Sequence, residues 1–420
     1  MSRSFTLRLV RRLTTATDSA SKPLTVSSVK NRLKKTYDPD QALKIYSSFT
    51  AAANISYDNP VSARYAQEST VRRLSKSHRL SDIETFLESH KSLPQITQEP
   101  FLSSLIRSYG IAGMFENAFK TYQQMTDLGS PRSAISFNAL LKACLHSKLF
   151  DRVPGCFDEF PSKFGFLPDK FSYGILIKSY CEMGSPERAM SKLNEMEEKG
   201  IEINAATFSP ILQALYKQGK GDEAEKFWDV MVTKKGCLPD VGSYNVRLMH
   251  VQDGDPDAVK GFIEEMSEAG IKPDTVSYNY LITCYLRNGM MDEAKKVYDD
   301  LKEKGCYPNM ATFRTLIFNL CKHERYVMGY KVFKKSAKVY KIPDFNTLKY
   351  LAEGLVKNGH TEEVKDMIRI INKRYPPNML KAWGKLTVDL GLVIGDTEKT
   401  GVGELDKGVH SDETEKASST

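Results

Sequence analysis

The chain has 420 residues, 41% of them hydrophobic and 27% charged, with a formal net charge of +8. That hydrophobic share suffices for stacked helices, and no long uninterrupted apolar run is present to span a membrane. The charge is uneven: residues 1–35 carry nine Lys/Arg against Asp18 alone, and residues 396–420 carry seven acids against three lysines. The long body between has so small an excess that a general polyanion sponge is excluded, and any nucleic-acid contact must come from a local stripe.

In chain order, the first element is the N-terminal segment, residues 1–25. It holds Arg3, Arg8, Arg11 and Arg12 with no acid before Asp18, and Phe5, Leu9 and Leu13 share one helical face. This pattern predicts a mitochondrial targeting presequence that sends the chain to the matrix, with a chloroplast address as the alternative. A secretory signal is disfavoured because the arginines interrupt the apolar run. Residues 26–98 read as degenerate helical repeats, with a hairpin around Asp40–Phe49 and a fuller unit over 64–98.

A phrase then recurs about every 35 residues. Pro168-Asp169 is followed by Ser172-Tyr173, Pro239-Asp240 by Ser243-Tyr244-Asn245, Pro273-Asp274 by Ser277-Tyr278-Asn279, and Pro308-Asn309 by Thr312-Phe313. Such a period marks a solenoid, whose units are too small to bury their own apolar face and must stack. Within one unit Tyr278, Leu281, Ile282 and Tyr285 fall at i, i+3, i+4 and i+7, one face of a helix. Asn288-Gly289 breaks that helix, and Asp292 is expected to open a second one carrying Ala294, Val297, Tyr298 and Leu301. Lys304-Gly305 and Pro308 supply the stop, as Lys199-Gly200 and Gly270 do in neighbouring units. Each unit is two helices joined by a short turn, so the fold class is all-α.

These residues resemble the pentatricopeptide repeat family, of the P-class found in plant organelles. The resemblance covers Glu99 to Asn378, and more weakly 26–98. Tetratricopeptide repeats have nearly the same period, but their Trp-x-x-Leu-Gly signature is missing. The resemblance implies a right-handed α-solenoid superhelix with units 99–133, 134–169, 170–204, 205–240, 241–274, 275–309, 310–344 and 345–378. It also implies binding of single-stranded RNA, read by the fifth and last residues of each unit. Those pairs are Asn138/Asp169, Gly174/Asn204, Ser209/Asp240, Asn245/Asp274, Asn279/Asn309, Arg314/Asp344 and Lys349/Asn378. Carried over from the family, the legible message is U-?-G-U-Y.

The second residue, which in the family wedges between bases, is Ile135, Phe171, Ala206, Gly242, Val276, Ala311 and Asn346. Four of these are small or polar, which weakens tight sequence-specific binding. The thirteenth residue includes five cations, Lys76, Lys217, Arg287, Lys322 and Lys357, interrupted by Glu182 and Asp253. They predict a stripe that neutralises RNA phosphates without reading bases, although Lys or Arg at a helix C-terminus also suits the helix dipole. Aromatic residues at the fourth position (Phe137, Tyr173, Phe208, Tyr244, Tyr278, Phe313) are expected in the core.

The seven cysteines form no C-x-x-C pair, and their recurrence at similar depths fits packing rather than metal or disulfides. His360-Thr361-Glu362 matches half of a zinc-deaminase signature, but the last cysteine is Cys321, so the other half is missing. Without a Walker motif or G-x-S-x-G, neither enzymatic activity nor a cofactor is expected. A capping helix is expected within 379–394, from Met379 to Leu390 with Trp383, followed by a disordered tail over 395–420. Two functions fit. One is a non-catalytic organellar RNA-binding protein acting on the stability, processing or translation of mitochondrial RNA. The alternative is a structural or accessory part of the mitochondrial ribosome, touching ribosomal RNA and ribosomal proteins.

Overall fold

The computed structural model describes residues 26–52, 60–234 and 237–392. The expected presequence and the tail over 395–420 lie outside the described residues. Ten helix pairs follow one another: α1 (Val26–Lys35) with α2 (Pro39–Ala52), α3 (Pro60–Lys76) with α4 (Leu80–Ser89), and α5 (Glu99–Ile111) with α6 (Phe115–Gln123). Next come α7 (Ala134–His146) with α8 (Arg152–Phe164), α9 (Lys170–Glu182) with α10 (Pro186–Glu198), and α11 (Ala205–Lys217) with α12 (Gly221–Asp229). The last four are α13 (Val241–Val251) with α14 (Pro256–Glu268), α15 (Thr275–Arg287) with α16 (Met291–Asp300), α17 (Met310–Lys322) with α18 (Tyr326–Lys338), and α19 (Phe345–Lys357) with α20 (Thr361–Arg374). No strand occurs among the described residues, and no described helix is long and apolar enough to cross a membrane.

Local chemistry sets the helix starts. Asp274 caps α15: its carboxylate accepts from the backbone N–H of Val276 and Ser277, and the Asp274 N–H donates back to Ser277 Oγ. The same reciprocal box forms at Asp169, Asn204, Asp240 and Asn309; each cap stabilises its helix by about 1 kcal/mol. Gly289, at φ +75°, turns the chain from α15 into α16. His78, Lys148 and Glu324 hold the same left-handed turn at φ +56°, +58° and +57° in other units. The second helix opens at Met291 rather than at Asp292, with no side-chain cap. Asp292 lies in its first turn, where a carboxylate still favours the helix N-terminus.

The odd-numbered helices pack directly on one another, whereas the even-numbered helices pack on their own partners and the next odd helix. A row in direct contact is shorter than a splayed row, so the array curves with the odd helices on its inner wall. Gly110 permits a close backbone approach: a Cβ there would sit 2.5 Å from the Ala143 Cα on α7. The six fourth-position aromatics are buried between the layers. Cys144, Cys284 and Cys321 are also buried, and Cys181 is half-buried, with none of the seven cysteines in a disulfide.

A charged side chain enters this core. Arg247 on α13 has only 8% of its side chain exposed and pairs with Glu225 of α12 and Glu265 of α14, each at 2.8 Å. Its guanidinium lies 4.6 Å from the Trp228 ring centre and 4.2 Å from that of Phe262.

The two ends of the array meet. The Tyr37 and Tyr375 rings are 4.7 Å apart, and the Arg73 guanidinium lies 4.9 Å from the Tyr37 ring centre. Tyr340 receives Arg374 at 4.1 Å on one side of this seam and Lys35 at 5.3 Å from the first helix. Beyond it, a single 3-10 turn, Pro377–Met379, precedes α21 (Lys381–Asp389). The capping helix is therefore shorter than the expected Met379–Leu390, because the Pro376-Pro377 turn delays its start. Trp383 anchors it edge-on against Phe345, with ring centres 4.9 Å apart.

Candidate nucleic-acid interface

From α5 onward every inner helix begins at the first residue of a unit, so the last residue of one unit is the N-cap of the next inner helix. This register makes each expected reading pair a contact between two neighbouring helices. Asn138 donates through Nδ2 to Asp169 Oδ1 at 3.0 Å, and its Oδ1 accepts from Ser172 Oγ at 2.7 Å. Asn245 does the same with Asp274 (3.2 Å) and Ser277 (2.8 Å). Asn279 follows with Asn309 (3.3 Å) and Thr312 (2.7 Å). Each amide keeps one N–H and one oxygen lone pair uncommitted, which is one donor and one acceptor for a base edge.

Where the fifth residue is not Asn, the hydroxyl turns elsewhere. Thr207 opposite Gly174 donates to the Asn204 carbonyl at 2.6 Å, and Ser243 opposite Ser209 donates to the Asp240 carbonyl at 2.8 Å. Ser209 Oγ is buried without a hydrogen-bond partner. It borders a groove of about 240 Å³ lined also by Asp240, Gly242, Lys178 and Lys217. Arg314 and Asp344 do not form an ion pair within 4.0 Å; burial pushes the Asp344 carboxyl up, but hydrogen bonds from Thr347, with Arg314 adding least, outweigh it and hold the group low. Lys349 lies 3.6 Å from Glu353 on its own helix, and the Asn378 side chain is outside the described part.

The second-position residues Ile135, Phe171 and Val276 are exposed on the inner wall. Ala206, Gly242, Ala311 and Asn346 are also exposed but present little surface. Lys76, Lys217, Arg287, Lys322 and Lys357 are each the last residue of an inner helix, and all are exposed. Burial, then repulsion from Arg73 and Arg72, pulls the Lys76 ammonium below its usual range. Arg287 is not a free cation: it pairs with Asp253 from the neighbouring unit. Arg287 and Lys322 line a second groove of about 330 Å³ with Arg314 and Phe318.

Among the described residues no cluster of His, Cys, Asp and Glu is arranged to hold a metal ion, and His360 precedes α20 with Nδ1 3.5 Å from Glu363. One feature escapes the fifth and thirteenth positions. The inner wall of the N-terminal half also carries Arg72, Arg107, Lys142 and Lys178, one from each of four consecutive inner helices. Their spacing of 35, 35 and 36 residues was a legible signal.

Residues 168–217 and 273–322 match the family model described as PPR repeat family, and residues 102–130 and 206–235 match that described as PPR repeat. Small ribosomal subunit protein mL103 (rPPR7) of Arabidopsis thaliana is 54% identical over 92% of this chain and 94% of its own length. A mitochondrial pentatricopeptide repeat-containing protein of the same plant is 53% identical over 92% of each. Among solved structures, the pentatricopeptide repeat protein PPR10 from maize has a TM-score of 0.40 at 17% identity, covering 84% of this chain and 60% of that one.

Proposed function

The chain belongs to the pentatricopeptide repeat family, and from that premise we propose that it is a non-catalytic component of the mitochondrial ribosome, held through ribosomal RNA and neighbouring proteins. The observation that carries this reading is the near end-to-end match, at 54% identity, to a protein named as a ribosomal subunit. The inner wall supports it in kind. Cations at helix ends neutralise phosphates irrespective of sequence, and four second-position residues offer little surface for a base to stack on. An RNA held mainly by its backbone is one whose position is fixed by a larger assembly rather than by its own sequence.

The test is sedimentation of the tagged chain from mitochondrial lysate after nuclease removal of free transcripts. Co-migration with the small ribosomal subunit is expected. Migration as a light free species overturns the assignment.

A second reading, an RNA-binding protein selecting particular mitochondrial transcripts, is favoured by the three clamped asparagines, Asn138, Asn245 and Asn279. A fixed amide with one donor and one acceptor left over suits a uracil edge. That reading predicts preference for an RNA bearing U-N-G-U-Y over its scramble, and loss of the preference in Asn138→Ala. Equal binding to both sequences removes it.

A further inference from the structure

On an inner helix the fifth, ninth and thirteenth residues lie four apart, and each such step turns only about 40° around the axis. The ninth residue therefore faces the same groove as the expected base-reading and phosphate positions. In four consecutive units it is a cation: Arg72 on α3, Arg107 on α5, Lys142 on α7 and Lys178 on α9. In the next five units it is Gln213, Met249, Thr283, Phe318 and Glu353, and the cations of the C-terminal half are instead Arg287, Lys322 and Lys357 at the thirteenth.

These side chains converge. Burial and then Arg64 lower the proton affinity of Arg107; burial, Arg107 and Arg64 lower that of Lys142. His146, the thirteenth residue of its unit, is lowered by burial, then by Arg72, with Arg107 and Lys178 adding to it. Groups from four successive inner helices thus share one patch, offset by Glu68 and Asp169. Among the described residues none of the four ninth-position cations has an ion-pair partner within 4.0 Å, and Arg107 Nε is buried without a hydrogen-bond acceptor. Arg107 and Lys142, crowded and partly buried, are costly until an anion arrives.

We propose that Arg72, Arg107, Lys142 and Lys178 form a track for the RNA sugar–phosphate backbone along the N-terminal half of the groove, gripping the strand without reading it. This rests on the RNA-contacting reading above. One cation per unit, repeated along a stack, matches a polymer whose charges recur at regular intervals. The strand changes register along the wall, from the ninth-position column to the thirteenth.

The test is fluorescence anisotropy of the full chain with two probes, a short oligouridylate and a short A-form RNA duplex, across a salt series. The variant is Arg72→Gln/Arg107→Gln/Lys142→Gln/Lys178→Gln, with Lys217→Gln/Lys322→Gln/Lys357→Gln for comparison. Four lost phosphate contacts flatten log K against log salt by about 3 on a single strand, so over a fourfold rise in salt the wild type loses about fifty times more affinity than the variant. The probe showing the larger change identifies the backbone form held. A quadruple variant with the wild-type slope on both probes overturns the track. Should it fail to fold, the exposed pair Arg72→Gln/Lys178→Gln is expected to lose about half of that slope change, and an unchanged slope there overturns the track equally. Sedimentation with the small ribosomal subunit in the face of unchanged slopes sinks the track alone; a light free species with flattened slopes sinks the ribosomal assignment alone.

Discussion

Arg247 ties three helices through one buried guanidinium, and replacing it gives a sharp measure of what that costs. Its two partners, Glu225 and Glu265, are each 45% exposed, so after Arg247→Ala both carboxylates rehydrate instead of being stranded. The cost should then fall below the full penalty for breaking a buried pair, which is about 3–5 kcal/mol. Two half-exposed ion pairs contribute up to about 1 kcal/mol each, and stacking on Trp228 and Phe262 about 0.5–1 kcal/mol each. Together these give about 2–4 kcal/mol for Arg247→Ala, including the lost packing of the aliphatic stem. Arg247→Met keeps the stem and most of the volume, and should cost about 1–2 kcal/mol. Urea unfolding followed by fluorescence reads the loss, because Trp228 is one of only two tryptophans and lies against the substituted side chain. In a stack of units the effect is local, so the Trp228 transition should shift before overall helicity is lost. A cost below about 1 kcal/mol for Arg247→Ala would refute the assignment of the energy to stacking and pairing, and equal costs for the two variants would remove the share given to the aliphatic stem.

Asn245→Ala removes the bonds to Asp274 and Ser277, but Ser277 can turn to the Asp274 carbonyl as Ser243 turns to that of Asp240; a loss of only about 1 kcal/mol in urea is expected, and about 3 or more would show the clamp to be structural. Glu324→Gly relieves a left-handed side-chain residue at φ +57°; the gain, offset by glycine's extra unfolded entropy, is about 0.5–1 kcal/mol, seen as a higher melting temperature, and an unchanged or lower one counts against strain at that turn. Burial pushes the Glu195 carboxyl up, but bonds from Lys192, Lys199 and Tyr173 outweigh it and hold the group at about 2. Because the folded value is depressed, its contribution is complete above the ordinary 4.5 and is lost as pH falls towards 2, so Glu195→Gln should flatten the acid side of the stability profile; parallel profiles would contradict it.

The inner-helix starts were legible because chemistry and period coincide. Asp274 and Ser277 are the cap and third residue of one box, and that box recurs at Pro168-Asp169, Pro239-Asp240 and Pro308-Asn309. The reading positions were legible only as positions. That Asn138 is clamped by Ser172 while Gly174 leaves Thr207 to its own backbone depends on contacts between units, which a single unit does not display. Arg247 was hidden because a charged residue on an amphipathic helix reads as solvated, and its burial needs Glu225 and Glu265 on two different outer helices. The Arg72, Arg107, Lys142 and Lys178 column was present in the spacing. Registering the chain on the fifth and thirteenth residues passes over the ninth, which lies on the same face. Arg287 appears free in the sequence, and its neutralisation by Asp253 follows from stacking adjacent units.

The seam where Tyr37 meets Tyr375 gives the inner wall the geometry of a lasso. A polymer that follows the wall from first helix pair to last finishes beside its own starting point. Its upstream and downstream flanks emerge as neighbours, and the stretch between them is held as a bight.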